Sequence, residues 1–201
     1  MKRQYYFFLI TLLLPSSLWA IEGESYISTS KGTDNFTLSA AGKSTTLFIS
    51  SKDYTGVIRA LKDLKADIGK VTNIEPSILY DKVPSQKELV IVGTLGKSPV
   101  IDQLVKSGKL DVTEIRGKWE SFLIQVVNNP LPGIDKALVI AGGDKRGTIF
   151  GIYDVSEQIG VSPWYWWADV PIKKKQQYFC KSRSICSVSS KSKISWYFHQ
   201  R

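Results

Sequence analysis

The sequence predicts one small α/β domain, a mostly buried sheet flanked by helices, and three observations carry that expectation. Residues 89–92 and 137–141 are unbroken apolar runs rather than alternating ones, as in strands covered on both faces. Val57, Ile58, Leu61, Leu64 and Ile68 recur at helical spacing with Lys and Asp between them. Strand-like and helix-like segments alternate along the chain, which places helices on the faces of a sheet. The 201 residues, 43% of them hydrophobic, suffice for one domain with a core and a tail.

Residues 1–20 stand apart from that domain. Lys2 and Arg3 precede an apolar run over 5–14, followed by Pro15, Ser16, Ser17 and the small Ala20. This is the layout of a secretory signal peptide, and the run is too short to span a bilayer as a helix. The chain is expected to be exported, periplasmic or extracellular, with no membrane span after cleavage. Residues 21–43 are polar and small, a lead-in with one short strand near 36–39. The β-branched run over 45–50 is a strand. Asp53 is placed to cap a helix over 54–69, which Gly69 and Asn73 close. A short strand over 77–80, a buried strand over 88–93 and a short helix over 99–107 follow, the helix ending at Gly108. A strand over 121–127 leads into a turn rich in Asn, Pro and Gly. The strand at 137–141 is followed by Gly142 and Gly143. Asp144 then caps a helix over 145–158, which stops at Gly160.

The net charge of +9 does not mark a nucleic-acid protein. Lys2 and Arg3 in the leader, and Lys181, Arg183, Lys191, Lys193 and Arg201 in the tail, make most of the excess. Residues 21–175 are close to neutral with both signs interspersed, so no nucleic-acid partner is expected. Cys180, Cys186 and the lone His199 also fall in the tail. The body therefore lacks the side chains for a Cys/His metal site, a Ser–His–Asp triad, a thiol nucleophile or a disulfide framework. Neither a metal nor a cofactor is expected. Chemistry in the body would fall to carboxylates, Lys, Tyr or Arg.

Three segments bear on function. The Gly142-Gly143-Asp144 junction resembles a phosphate cradle at a helix N-terminus, but it lacks the full G-x-G-x-x-G spacing and a Walker Lys-Ser/Thr pair. The ordinary reading is a tight turn and helix cap built by Gly142, Gly143, Asp144, Arg146 and Gly147. A carboxylate pair for glycoside hydrolysis cannot be assigned. Asp144 is accounted for as a cap, and Asp154 and Glu157 sit at i, i+3 on a face that reads as solvated. No catalytic residue is expected. The third segment is the aromatic run Trp164, Tyr165, Trp166 and Trp167, with Asp169 close behind. It fits neither a helical stripe nor strand alternation. Such a surface expects a partner, either a stacked sugar beside a carboxylate or a neighbouring domain.

The stretch A-L-V-I-A-G-G-D-K-R-G-T-I-F-G-I-Y-D-V-S-E-Q-I-G-V-S-P-W-Y-W-W-A-D-V-P over 137–171 resembles the N-terminal domain of glycoside hydrolase family 115. Those enzymes are α-glucuronidases that remove glucuronic or 4-O-methylglucuronic acid side chains from xylan. The segments D-K-R-G-T-I-x-G-I-Y and G-V-S-P-W-Y-W-W-A-D-V-P carry the resemblance, and the layout extends it over 21–175. The first segment is shared more loosely with the hexosaminidase-like domain 2 of other barrel glycosidases. The resemblance implies an accessory domain of that type, set before a (β/α)₈ barrel that holds the catalytic carboxylates at its strand ends. It implies two partners, that barrel and xylan-derived glucuronic acid saccharides. It also implies that Trp164, Tyr165, Trp166, Trp167 and Asp169 lie at the seam with the barrel, near the uronic-acid pocket. The catalytic acid and base have no counterpart in this sequence, so the chain is expected to be inactive alone. Two alternatives stand beside this reading. One is a stand-alone exported carbohydrate-binding module using the aromatics at 164–167. The other is a subunit that completes a barrel encoded on a separate chain.

After Lys175 the resemblance stops, Ser becomes frequent and acidic residues cease. Family members continue with a strand and a segment like K-Y-R-G-I-F-I-N-D-E. The residues from Ile194 to Arg201 can be encoded as ATA TCG TGG TAT TTT CAT CAA CGA. With a TGA stop appended, rereading one base later gives Y-R-G-I-F-I-N-D and most of E. Earlier tail codons permit N-N-I-F-V-K-A-G-A-Y-V in the same frame. The expectation is a one-base slip in the A-rich codons of Lys173, Lys174 and Lys175. Residues 176–201 are then out of frame and expected to be disordered or poorly packed. The rival is a genuine basic tail for anionic surfaces.

Overall fold

A computed structural model describes residues 25–162, 165, 170–172, 174–182 and 185–187. In chain order the elements are β1 (Ile27–Ser28), β2 (Phe36–Ala40), β3 (Lys43–Ser44), β4 (Leu47–Ile49), α1 (Thr55–Thr72), β5 (Ile78–Tyr80), β6 (Glu88–Thr94), α2 (Pro99–Lys106), β7 (Phe122–Asn128), β8 (Lys136–Gly142), α3 (Lys145–Gln158), β9 (Tyr178–Cys180) and β10 (Ile185–Ser187). They form a small α/β domain with mixed sheets flanked by helices. The larger sheet has the order β10-β7-β8-β6-β4-β5. Its members β8, β6, β4 and β5 are parallel, and β7 and β10 are antiparallel additions at one side.

The unbroken apolar runs become the centre of this sheet because helices cover both faces. Leu47, Ile49, Val90, Val92, Leu138 and Ile140 point to one face, where α1 and α3 bury Val57, Leu61, Leu64, Ile68, Ile149, Ile152 and Val155. Phe48, Leu89, Ile91, Val139 and Ala141 point to the other, under Ile101 and Leu104 of α2 and the following loop residues Leu110, Val112 and Ile115. The period-2 alternation of Cβ atoms thus feeds two separate cores from the same strands.

Three expectations are corrected. Asp53 does not cap α1. Tyr54 occupies the N-cap position, and the helix runs through Gly69 to Thr72, closing at Asn73 with φ 62°. Instead, the Asp53 carboxylate reaches across to β6. The lead-in holds three short strands rather than one. It joins a second sheet, with the order β1-β9-β2-β3, beside the large one. The tail, expected to be unpacked, supplies the middle of that second sheet. Tyr178, Phe179 and Cys180 are buried as β9, paired antiparallel with both β1 and β2. Tyr and Phe are strong strand formers, and the open edge of β2 offers unpaired backbone groups to them. Part of the tail, Ile185–Ser187, also adds β10 to the edge of β7.

The topology gives the large sheet two distinct edges. The parallel strands β4, β6 and β8 all end at one edge, where β7 begins, since Phe122 pairs with Gly142. Helix α3 carries the chain back to the opposite edge. There Lys175 N donates to Val71 O at 3.0 Å, and Lys70 Nζ stands 5.1 Å from the Tyr165 ring centroid.

Candidate functional site

In open α/β sheets, ligands bind outside the carboxyl ends of the strands, where neighbouring strands lead off in opposite directions. Here that point lies between β4, which leads through α1 to β5, and β6, which leads through α2 and β7 to β8. The crevice is filled by the protein itself. The Asp53 carboxylate accepts from Thr94 N at 2.7 Å, Thr94 Oγ1 at 2.8 Å and Tyr54 N at 2.8 Å. The Thr94 and Thr148 hydroxyls lie 2.7 Å apart, which ties β6 to α3 beneath the same point. A buried anion with a complete set of donors closes this crevice to an anionic ligand.

The glycine junction one strand further on is equally occupied. A Cβ on Gly142 would overlap Thr148 N, one on Gly143 the Ile115 carbonyl oxygen, and one on Gly147 the Ser121 carbonyl oxygen. These glycines admit the chain's own backbone, not a phosphate. Asp144 accepts from Gly147 N at 2.7 Å through one oxygen and from Glu120 N at 3.0 Å through the other. Arg146 closes the joint with a 2.8 Å ion pair to the buried carboxylate of Glu120. The residues Gly142, Gly143, Asp144, Arg146 and Gly147 therefore weld β8, α3 and the start of β7 together.

Asp154 does not lie on a solvated face. Its carboxylate accepts from Tyr26 Oη at 2.8 Å, so helix α3 holds the residue just before β1. Burial raises the Asp154 pKa to about 6, opposed by the Tyr26 hydrogen bond and reinforced by the charge of Glu157. Burial, and then Asp154, push the Tyr26 phenol well above its ordinary value. Glu157 itself is exposed. Burial also pushes the Cys180 thiol up to about 12, which makes it a poor nucleophile. Among the described residues, no group of three or more His, Cys, Asp or Glu side chains is placed to hold a metal ion.

Of the aromatic run, Trp164, Trp166 and Trp167 lie outside the described residues, as does Asp169. Tyr165 is half-buried against the α1–α3 core, and its N–H donates to Ser162 O at 2.9 Å. The sequence reading missed Trp119, Tyr54 and Tyr80, which are exposed on loops and a strand end. Their only sequence signal is an isolated aromatic in a polar or turn segment, as in Gly117-Lys118-Trp119.

The two-sided sheet and the welded β8–α3 joint define a small α/β domain, and its similarity to a solved structure is to a domain of a glycoside hydrolase. No family model and no curated protein matches the chain. Among solved structures, the chain is similar to BtGH115A, a family GH115 4-O-methyl-α-glucuronidase with specificity for decorated arabinogalactans. The identity is 29% and the TM-score 0.60, over 77% of this chain and 18% of that one. It also aligns with CpGH84D at 6% identity and a TM-score of 0.43, over 78% of this chain and 22% of that one. The alignment with the Flavobacterium johnsoniae chitobiase FjGH20 has 11% identity and a TM-score of 0.42, over 82% of this chain and 20% of that one. The chain is thus a GH115-like domain that spans 18% of the length of the glucuronidase it resembles.

Proposed function

We propose that this chain is the exported N-terminal accessory domain of an α-glucuronidase-type glycoside hydrolase acting on glucuronic acid side chains of polysaccharides such as glucuronoxylan. The observation that carries the reading is the 29% identity to a GH115 glucuronidase sustained over 77% of the chain. In this reading the domain buttresses a catalytic barrel and meets it through the segment at 164–169. Hydrolysis belongs to the barrel, and this chain alone is inactive. The reread codons beyond Lys175 support a one-base slip between the domain and that barrel.

The test restores one reading frame across the codons of Lys173, Lys174 and Lys175 and expresses the product. The expected result is release of 4-O-methylglucuronic acid from glucuronoxylan oligosaccharides by the restored protein and none by this chain. Release by this chain alone, or none by a folded restored protein, would contradict the reading.

A further inference from the structure

The described residues expose four large apolar side chains, Tyr54, Tyr80, Trp119 and Val170. Trp119 is 75% exposed, in a residue type that folded proteins mostly bury. The loop that carries it is nevertheless tied down. Ser121 Oγ donates to Ile115 O at 3.0 Å and to Lys118 O at 2.8 Å, and Lys118 N donates to Ile115 O at 3.2 Å. Glu120, next to the tryptophan, adopts a left-handed backbone with φ 54°, which strains a residue that has a Cβ. Two side chains at the start of α3 hold it there. Asp144 accepts from Glu120 N at 3.0 Å, and Arg146 pairs with the Glu120 carboxylate at 2.8 Å. The fold thus sustains a strained residue and keeps the adjacent Trp119 ring in solvent.

Trp119 lies three residues before Phe122, at the edge of the large sheet where β4, β6 and β8 end. Tyr54 and Tyr80 lie at the same edge, after β4 and at the end of β5. Charges of both signs are mixed around them. Lys52 faces Asp81, and Lys97 Nζ lies 5.2 Å from the Tyr54 ring centroid. Asp53, Asp102 and Asp144 keep their charges while they accept from neutral donors. Aromatic side chains among mixed charges suit a protein–protein contact rather than an ionic ligand.

The path of the chain points to the partner. β10 pairs antiparallel with β7, Ile185 opposite Ile124 and Ser187 opposite Phe122, so it runs toward this same edge. Ser187 reaches the edge one strand away from Phe122, about 5 Å across the ladder. Three residues of backbone span at most ~10 Å, so a chain continuing from Ser187 starts within about 15 Å of Trp119. The shifted frame permits Y-V at 185–186, which suits a strand as Ile185 does, so the parent chain can take the same route.

We infer that the Trp119 edge is a docking surface for the domain that follows in the frame-restored protein, with Trp119 as its anchor and Tyr54 and Tyr80 extending the contact. The inference rests on the function proposed above and adds a contact separate from the segment at 164–169, since Tyr165 sits at the opposite edge of the sheet. Covering one tryptophan removes roughly 200 Å² from water. The fixed loop leaves little freedom to be lost on docking.

The test is hydroxyl-radical footprinting read by mass spectrometry, on this full chain and on the frame-restored protein at equal concentration. In this chain Trp119 should oxidise at the rate of an exposed tryptophan. In the folded restored protein its rate should fall at least about fivefold, as for an interface anchor that loses its solvent. Trp119→Ala should leave the unfolding midpoint of this chain unchanged and lower that of the restored protein. Equal oxidation of Trp119 in the two proteins overturns the inference. So does protection confined to Trp164, Trp166 and Trp167, which would leave only the contact at 164–169. Protection of Trp119 in this chain that fades on dilution would assign the surface to a second copy, and also overturns it. Glucuronidase activity is a separate readout. A restored protein that is inactive but protected at Trp119 rejects the proposed function and keeps the docking surface, whereas an active one with Trp119 unprotected rejects only the surface.

Discussion

Replacing Asp154 with Asn should stabilise the domain at neutral pH, and the structure sets the size and sign of the effect. The Asp154 carboxyl titrates at about 6 in the fold against an ordinary 3.8, mainly because it is buried. Below pH 4 it is protonated in both states and contributes no difference. Between about pH 4 and 6 the unfolded chain ionises it while the folded chain holds its proton, so stability falls as pH rises. Above pH 6 the loss is complete. Two units correspond to about 3 kcal/mol, which solvent relaxation at this half-buried site reduces to roughly 1–2 kcal/mol. Asn keeps an oxygen that can accept from Tyr26 Oη and carries no charge. Urea unfolding of Asp154→Asn and the parent, followed from pH 4 to pH 8, should show coincident stabilities at the acid end. The variant should be more stable by that amount at pH 7.5. A variant less stable at pH 7.5, or two parallel pH profiles, would refute the claim that ionised Asp154 strains the fold.

Two further substitutions probe the frame around the site. Gly147→Ala would drive a Cβ into the Ser121 carbonyl oxygen, backbone that cannot rotate away. It should cost about 3 kcal/mol or more in chemical denaturation, whereas Gly142→Ala and Gly143→Ala test the same joint from its other side. Phe179→Ala should cost about 3 kcal/mol, because Phe179 is 2% exposed in the middle strand of the smaller sheet. A loss under about 0.5 kcal/mol in the same unfolding assay would mean that β9 does not pack.

The elements legible in the sequence were those whose signal is local. β6 and β8 showed as unbroken apolar runs because both faces of the sheet are covered. α3 began at Lys145 and ended at Gln158 because the Asp144 cap and a glycine bracket it. Asp53 was misread because its partner, Thr94, lies 41 residues away, and a carboxylate just before a helix looks like a cap whatever it bonds to. The same holds for Asp154. Its i, i+3 spacing to Glu157 suggested a shared wet face, but Tyr26, 128 residues distant, covers it. β1 and β3 are two residues long, too short to carry an alternation of their own, and form only because β9 and β2 offer edges.

On the one-base slip proposed above, the packed tail strand has an account in the genetic code. Tyr178, Phe179 and Cys180 can be encoded as TAT TTT TGT, which reads as Ile-Phe-Val one base later. A T-rich stretch encodes apolar residues in either frame, so a strand pattern would survive such a slip.

The central claim, that this is the head domain of a larger glycosidase, is tested most directly by reading the coding DNA. The read must cross the codons of Lys173, Lys174 and Lys175 and continue past that of Arg201. The account predicts that the frame one base later passes through Y-R-G-I-F-I-N-D-E and runs on as a (β/α)₈ barrel. A confirmed frame, with no barrel encoded downstream in any frame, would contradict it.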